Sequence, residues 1–299
     1  MKGVCAIGLL IIVLVALPLR SMAGVTWKIG DEGELDFGLS VQALARLTDF
    51  RNPNTNDADS GLDLILRRAL LRLGGNYTDY LRFFVQADAD ASTADGAGLR
   101  LSDANLNVHY KEIAQLIMGL QKPPVDREML TSDDALMTID RPGITGYKLT
   151  SGLRGKVEFD TATLRNTNSG VSSPVRDRDI GATLFGVYSF SDMLHFKYYA
   201  GLYEGIQKHT ENEDQPRYTA RVQVNLFDPE PGYENLGTYL GTKRTIALGW
   251  SMVDMQNNVV KNARNNNGAE YFSANTVDLF VEYPVGPGSV TSELSVEHT

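Results

Sequence analysis

Six cations lie on the polar side of segments that otherwise alternate polar and apolar residues: Arg46, Arg68, Arg72, Arg82, Lys197 and Arg221. Residues two apart on an extended chain share a face, so these cations would line one side of a wall. Along a narrow, water-filled channel they would draw anions inward, because low-dielectric walls focus the field of each charge. The polar residues also include Asp36, Asp88, Asp90, Asp103, Asp278, Glu282 and Glu293, and arginine–carboxylate bracing of the wall is the other reading. A second charged set occupies residues 121–178, where Lys122, Arg127, Arg141, Lys148 and Arg154 are matched by Asp126, Glu128, Asp133, Asp134 and Asp140. An excursion this long without strand patterning is usually functional. Folded into a wide barrel, it would set the aperture and its charge.

Other chemistries find little footing. No two of His109, His195, His209 and His298 stand at metal-ligand spacing. The run Asp57-Ala58-Asp59-Ser60-Gly61-Leu62-Asp63 alternates carboxylates around a glycine without the closing glutamate of a Ca²⁺ loop, and reads as a solvated turn-rich loop. There is no Gly-x-Ser-x-Gly elbow and no phosphate-cradling glycine loop. Asp88 and Asp90 share a strand face, as wall-bracing residues also would. No catalytic residue, metal or cofactor is expected, and the chain is not expected to be an enzyme.

These charges need elements to position them. Residues 1–23 combine Lys2, the apolar run Val4–Leu17 and the small-residue pattern Ser21-Met22-Ala23, which predicts an export signal cleaved after Ala23. The only cysteine, Cys5, lies within it, so the exported chain must be held by burial and backbone hydrogen bonds. The formal charge is −9, and −11 once Lys2 and Arg20 leave with the signal, which argues against a nucleic-acid partner. Beyond the signal no apolar run reaches the ~20 residues of a spanning helix.

What recurs instead is a two-residue period. From Leu35 to Leu47 the odd positions are Leu, Phe, Leu, Val, Ala, Ala and Leu, opposite Asp36, Gly38, Ser40, Gln42 and Arg46, with Leu44 the exception. Clear repeats follow at 81–89, 194–203 and 218–226, and weaker ones at 64–74, 99–110, 113–120, 180–188, 245–251, 277–283 and 290–296. That makes eleven strands. Their links alternate long and short, with Phe227 to Gly237 of intermediate length and Gln121 to Arg178 the longest. Outer-membrane barrels sort their connections in this way, with short turns on one rim and long loops on the other. Tyr77, Tyr80, Tyr110, Tyr188, Phe190, Tyr203 and Tyr283 sit near strand ends, where interfacial girdles lie. An exported soluble β-sandwich that binds or adheres is the alternative, and a β-rich hydrolase a further one.

Several short motifs, in order, resemble the phosphate-selective porin O and P family. They are Arg67-Arg68-Ala69 with Gly74-Gly75, then Asp103-Ala104-Asn105-Leu106, then Gly119-Leu120-Gln121-Lys122-Pro123-Pro124 with Arg127-Glu128. Arg141-Pro142, Arg178-Asp179-Ile180-Gly181-Ala182 with Gly186, Gly201 to Gly205 and Arg217 to Asn225 continue the likeness to the following strands. The resemblance implies an outer-membrane porin of about sixteen strands, assembled as homotrimers, with a third loop folded into the channel and basic residues selecting phosphate.

The expectation is therefore an all-β, antiparallel transmembrane barrel over residues 24–299. With an odd strand count and a final strand still alternating at Thr299, it reads as incomplete at its C-terminus. The candidate pore-lining residues are Arg46, Arg68, Arg72, Arg82, Lys197 and Arg221. The candidate constriction residues are Lys122, Arg127, Asp133, Asp134, Arg141, Lys148 and Arg154. The expected partners are outer-membrane lipid and small polar or anionic solutes, with passive diffusion as the activity.

Overall fold

The computed structural model describes residues 24–30, 33–51, 58–90, 98–139, 141, 159–160, 165–166, 178–204, 216–260 and 269–298. Twelve strands form one sheet: β1 (Val25–Ile29), β2 (Gly33–Arg51), β3 (Ala58–Thr78), β4 (Leu81–Asp90), β5 (Gly98–Tyr110), β6 (Ala114–Gln121), β9 (Asp179–Ser191), β10 (Leu194–Tyr203), β11 (Arg217–Phe227), β12 (Thr245–Val260), β13 (Ala269–Val285) and β14 (Gly288–His298). Each pairs antiparallel with the next along the chain, and β1 and β14 end the order without pairing to each other. Between β6 and β9 lie a single helical turn, α1 (Arg127–Leu130), and a two-residue pair, β7 (Phe159–Asp160) with β8 (Arg165–Asn166).

The alternation places one apolar face outward. On β2 and β3, Val41, Leu47 and Leu64 are 59%, 82% and 79% exposed. Leu248 and Trp250 on β12, Leu279 on β13 and Leu294 and Val296 on β14 continue that surface. Such a belt of side chains has no partner within the protein, and hydrocarbon is the solvent that suits it. The opposite, concave face carries the polar set, and there the burial is deepest: Arg221, Asp278, Thr183 and Glu282 are wholly covered. No helix among the described residues is long and apolar enough to cross a membrane.

The eleven expected strands are all present, and β1 is added. Its five residues directly follow the predicted cleavage site, too few for a period to stand out, and they pair in register with Gly33–Phe37 of β2. Among the described residues the sheet thus has twelve strands, one more than the eleven read from the sequence.

Two strands read as weak for a local reason. In β3 the outward residues are Leu62, Leu64 and Leu66 and then Ala69, Leu71 and Leu73, because the register shifts beside Arg67. In β5 a shift at Ser102 likewise moves the outward set from odd to even positions. One extra residue in a strand inverts every side chain beyond it.

Several connections are shorter than expected because hairpins extend past the apolar belt. β12 and β13 pair as far as Val260 and Ala269, well into a stretch read as loop. The predicted signal at 1–23 lies outside the described residues, as do residues 52–57 and 261–268. The short rim turns are tight: β13 passes to β14 through Gly286, whose φ of 57° favours glycine.

Candidate functional site

Two segments fold onto the concave face from opposite rims. The first leaves β6 at the loop rim and runs through Lys122 to Ile139. Its turn α1 is started by Asp126, whose carboxylate accepts from the Met129 amide at 2.5 Å. Val125 and Met129 pack on Val253 and Ala274 of β12 and β13, and Leu130 packs on Ile117, Phe185 and Tyr199. The segment then crosses back toward β3. Arg72 Nη1 donates to Asp134 at 2.7 Å, and Arg68 Nη1 donates to the Ile139 carbonyl at 2.9 Å.

The second segment, Asp228 to Arg244, joins β11 to β12 at the turn rim, where a turn of a few residues would suffice. Tyr239 and Leu236 pack on Ala247 and Phe280, holding it inside. The two segments meet edge to edge. The Asn235 amide donates to the Leu130 carbonyl at 2.9 Å, Ser132 N to Asn235 O at 3.3 Å and Gly237 N to Ala135 O at 2.9 Å. Tyr233 Oη donates to the Lys122 carbonyl at 2.5 Å, and Lys122 Nζ pairs with Glu234 at 2.9 Å.

Arg127 and Glu230 form the centre of this junction. The guanidinium donates from Nη1 and Nη2 to the two carboxylate oxygens at 2.8 and 2.7 Å, and lies 3.7 Å from the Phe280 ring centroid. Glu230 also accepts from Gln223 and Asn225, both at 2.9 Å, and from the Tyr239 hydroxyl. Burial alone would raise the Glu230 carboxyl, but Arg127 and then Lys197 outweigh it and hold it well below the ordinary range. Burial likewise works against the charged Arg127, and Glu230 reverses that and keeps the guanidinium protonated.

A second network ties the first segment to β5, β9 and β3. Arg178 donates to Asp103 at 3.0 Å and to Asp133 at 2.7 Å, and Arg141 reaches Asp133 at 2.6 Å. Burial would raise Asp133, yet Arg178, Lys122 and Arg141 hold it well below its usual value. Asp134 is lowered in the same way by Arg72. Glu128 is raised, chiefly by burial.

The structure places the twelve-strand wall's candidate cations as follows. Arg221 donates to Asp278 at 2.5 and 2.8 Å and to Ser251 and Gln223. Lys197 donates to Asn235 Oδ1 at 3.1 Å, and Arg68 also to Gln42 at 2.9 Å. Arg46 is exposed toward the loop end of β2. Arg82 is exposed on β4 and makes no hydrogen bond or ion pair among the described residues. Lys122, Arg127, Asp133, Asp134 and Arg141 come together in the inward segment, while Lys148 and Arg154 lie outside the described residues.

Beside the junction, between it and β2–β6, the concave face stays open. A recess of about 680 Å³ extends there, bounded by Gly38, Gly74, Arg82, Asn105, Gln121 and Glu234 among others. No cluster of potential metal ligands occurs among the described residues.

The role of Asp228 to Arg244 was not legible as a site. Its signal was a turn-rim link too long for a turn, carrying Glu230, Glu234, Tyr233 and Tyr239 within a few residues.

An antiparallel meander with an apolar exterior, and a polar face onto which two segments fold, is the architecture of an outer-membrane porin. The family model described as phosphate-selective porin O and P matches residues 37–223, more than half of the chain. The chain belongs to that family and to the outer membrane. The family is not an enzymatic one. No curated protein matches the chain.

Proposed function

We propose that this porin passes small polar solutes by passive diffusion along the recess beside β2–β6, with weak rather than strong charge selectivity. The observation that carries this reading is the pairing of the inner cations. Arg72, Lys122, Arg127, Arg141, Arg178, Arg217 and Arg221 each have a carboxylate partner. A cation already paired in a low-dielectric wall contributes little net potential to an approaching anion. The phosphate preference in the family's description calls for cations with spare donors, and Arg82 is the one that stands clear among the described residues of the recess.

The test is a reversal potential across a KCl gradient for the purified protein in planar bilayers. A small anion-side potential is expected, and a near-ideal selectivity of either sign would overturn the reading. Release of residues 1–23 on export and assembly as a homotrimer belong to the same proposal. Amino-terminal sequencing of the membrane-extracted protein, beginning at Gly24, checks the first. Migration of the unheated protein at three times the heated mass checks the second.

A further inference from the structure

We propose that the recess is a binding station for small zwitterionic solutes, of which an α-amino acid with a neutral side chain is the type. The proposal rests on the porin reading above. Its basis is the charge that the recess leaves unspent. Of the charged groups that line it, Lys122 is taken up by Glu234, and Asp103 by Arg178. Arg72 is taken up by Asp134 and Gln86, with one amino group to spare. Two charged side chains remain open among the described residues, and they have opposite sign: Arg82 on β4 and Asp36 on β2.

Their placement suits one small molecule between them. Asp36 pairs with Gly74 of β3, Gly74 pairs with Phe84 of β4, and Arg82 lies two residues along on the same face. Gly74 and, beside Asp36, Gly38 contribute no side chain, and the Phe84 ring lies beside Gly74, so the floor between the two charges is low and partly aromatic. Thr26 Oγ1 donates to one Asp36 oxygen at 2.6 Å, which orients the carboxylate and leaves its second oxygen to accept. Arg82 offers a planar fork of donors suited to a carboxylate.

Three further atoms of lining residues are buried without a partner: Arg72 Nη2, Gln121 Oε1 and Asn107 Oδ1. Gln121 is 1% exposed, and its amide nitrogen is already spent on Thr183 Oγ1 and neighbouring carbonyls. The chemistry of these three atoms is again mixed, one donor and two acceptors. A simple anion would use Arg82 and Arg72 but meet the Asp36 carboxylate and the two amide oxygens unfavourably. An ammonium ion has the converse difficulty. A zwitterion places its carboxylate on Arg82 and its ammonium on Asp36, and leaves neither charge opposed.

Titration of L-alanine into single channels in KCl at neutral pH tests this, with acetate and inorganic phosphate as comparison probes. L-alanine is expected to reduce the current saturably and at lower concentration than either anion. R82Q and D36N should each raise its half-blocking concentration about tenfold, as loss of one charge-assisted hydrogen bond implies. D36N should also strengthen block by acetate, since a like charge is removed. Equilibrium dialysis of labelled L-alanine against the detergent-extracted trimer or monomer gives the same ranking without a membrane, and heat-modified mobility confirms that both variants fold. Open channels without saturable block by L-alanine would overturn the binding station and leave the porin reading standing. Tighter block by phosphate that D36N leaves unchanged would overturn it in favour of a plain anion site. Absence of channels would overturn the porin reading and the station with it.

Discussion

Arg82 and Arg221 hold like positions, each on the concave face of an antiparallel strand with apolar residues either side of it, and their surroundings are opposite. Arg221 is wholly buried, donates to Asp278, Ser251 and Gln223, and sits where the inward segments press against β9–β14. Arg82 is exposed on a stretch of β2–β6 that neither described inward segment covers. The two sides of one lumen therefore use the same residue type for different ends. On the filled side, charge fastens the inward segments, with the Glu230 carboxylate met by Arg127, Gln223 and Asn225 together. On the open side, charge faces water and is available to whatever passes.

The largest effect is expected where the filled side is fastened. E230Q leaves the Arg127 guanidinium buried against Phe280 with only Glu293, 3.8 Å from its Nε, as counter-charge, and removing one partner of a buried pair costs about 3–5 kcal/mol. Denaturant unfolding should show a loss of that order, and single-channel records a larger and noisier conductance as residues 122–139 and 228–244 loosen. The double substitution R127M/E230L removes both charges and should recover part of the stability, the remaining loss coming from the Gln223, Asn225 and Tyr239 donors that lose their acceptor. If E230Q were as stable as the parent, the fastening role would fail.

Next in size is the contrast between the two arginines themselves. R221Q strands Asp278 in a dry wall and should destabilise by several kcal/mol, on the order of the 3–5 kcal/mol for a broken buried pair. R82Q should leave the melting temperature within the scatter of surface substitutions while shifting the reversal potential toward potassium. Equal destabilisation by both would erase the distinction between the sides.

A smaller loss is expected from Y239F. The Tyr239 hydroxyl donates to Glu230 beside four other donors, so the carboxylate stays well served. One hydrogen bond to a charged group is worth about 1.5–3 kcal/mol, and the lower end of that range is expected in unfolding experiments.

The wall was legible in the sequence because a strand announces itself through its own neighbours. Leu35 to Leu47, Leu194 to Tyr203 and Tyr218 to Leu226 were read from alternation alone, and β2, β10 and β11 contain them. Where alternation breaks, as at Arg67 and Ser102, one inserted residue inverts the pattern and the strand reads as weak, though its pairing is intact. The interior was far less legible. Which arginines are braced and which are open depends on segments brought from a distance: Arg127 and Glu230 are 103 residues apart, and Arg178 and Asp103 are 75 apart. Nothing in the residues flanking Arg82 or Arg221 announces that one is covered and the other bare. The link after Phe227 was passed over for the same reason, since its length was visible but its inward course is set by Tyr239 and Leu236 finding Phe280.

The smallest effect is expected from mild acid, and its direction follows from Asp133 and Glu230. Both carboxyls lie below their ordinary values in the folded protein, held there by Arg178, Lys122 and Arg141 in one case and by Arg127 in the other. A group whose folded value is depressed contributes stability that is fully present above its unfolded value and lost as pH falls through the folded one. The hold that Asp133 and Glu230 exert should therefore be indifferent to a change from pH 8 to pH 6, well above the carboxylate value of about 4 in unfolded chains. It should begin to loosen only below that value, as the unfolded chain starts to bind protons that the folded one refuses. Conductance noise followed from neutral pH downward should stay flat and then rise. A rise already near pH 6 would mean that groups other than these two carboxyls hold the constriction, and the filled side would no longer be the charge-fastened half of the lumen.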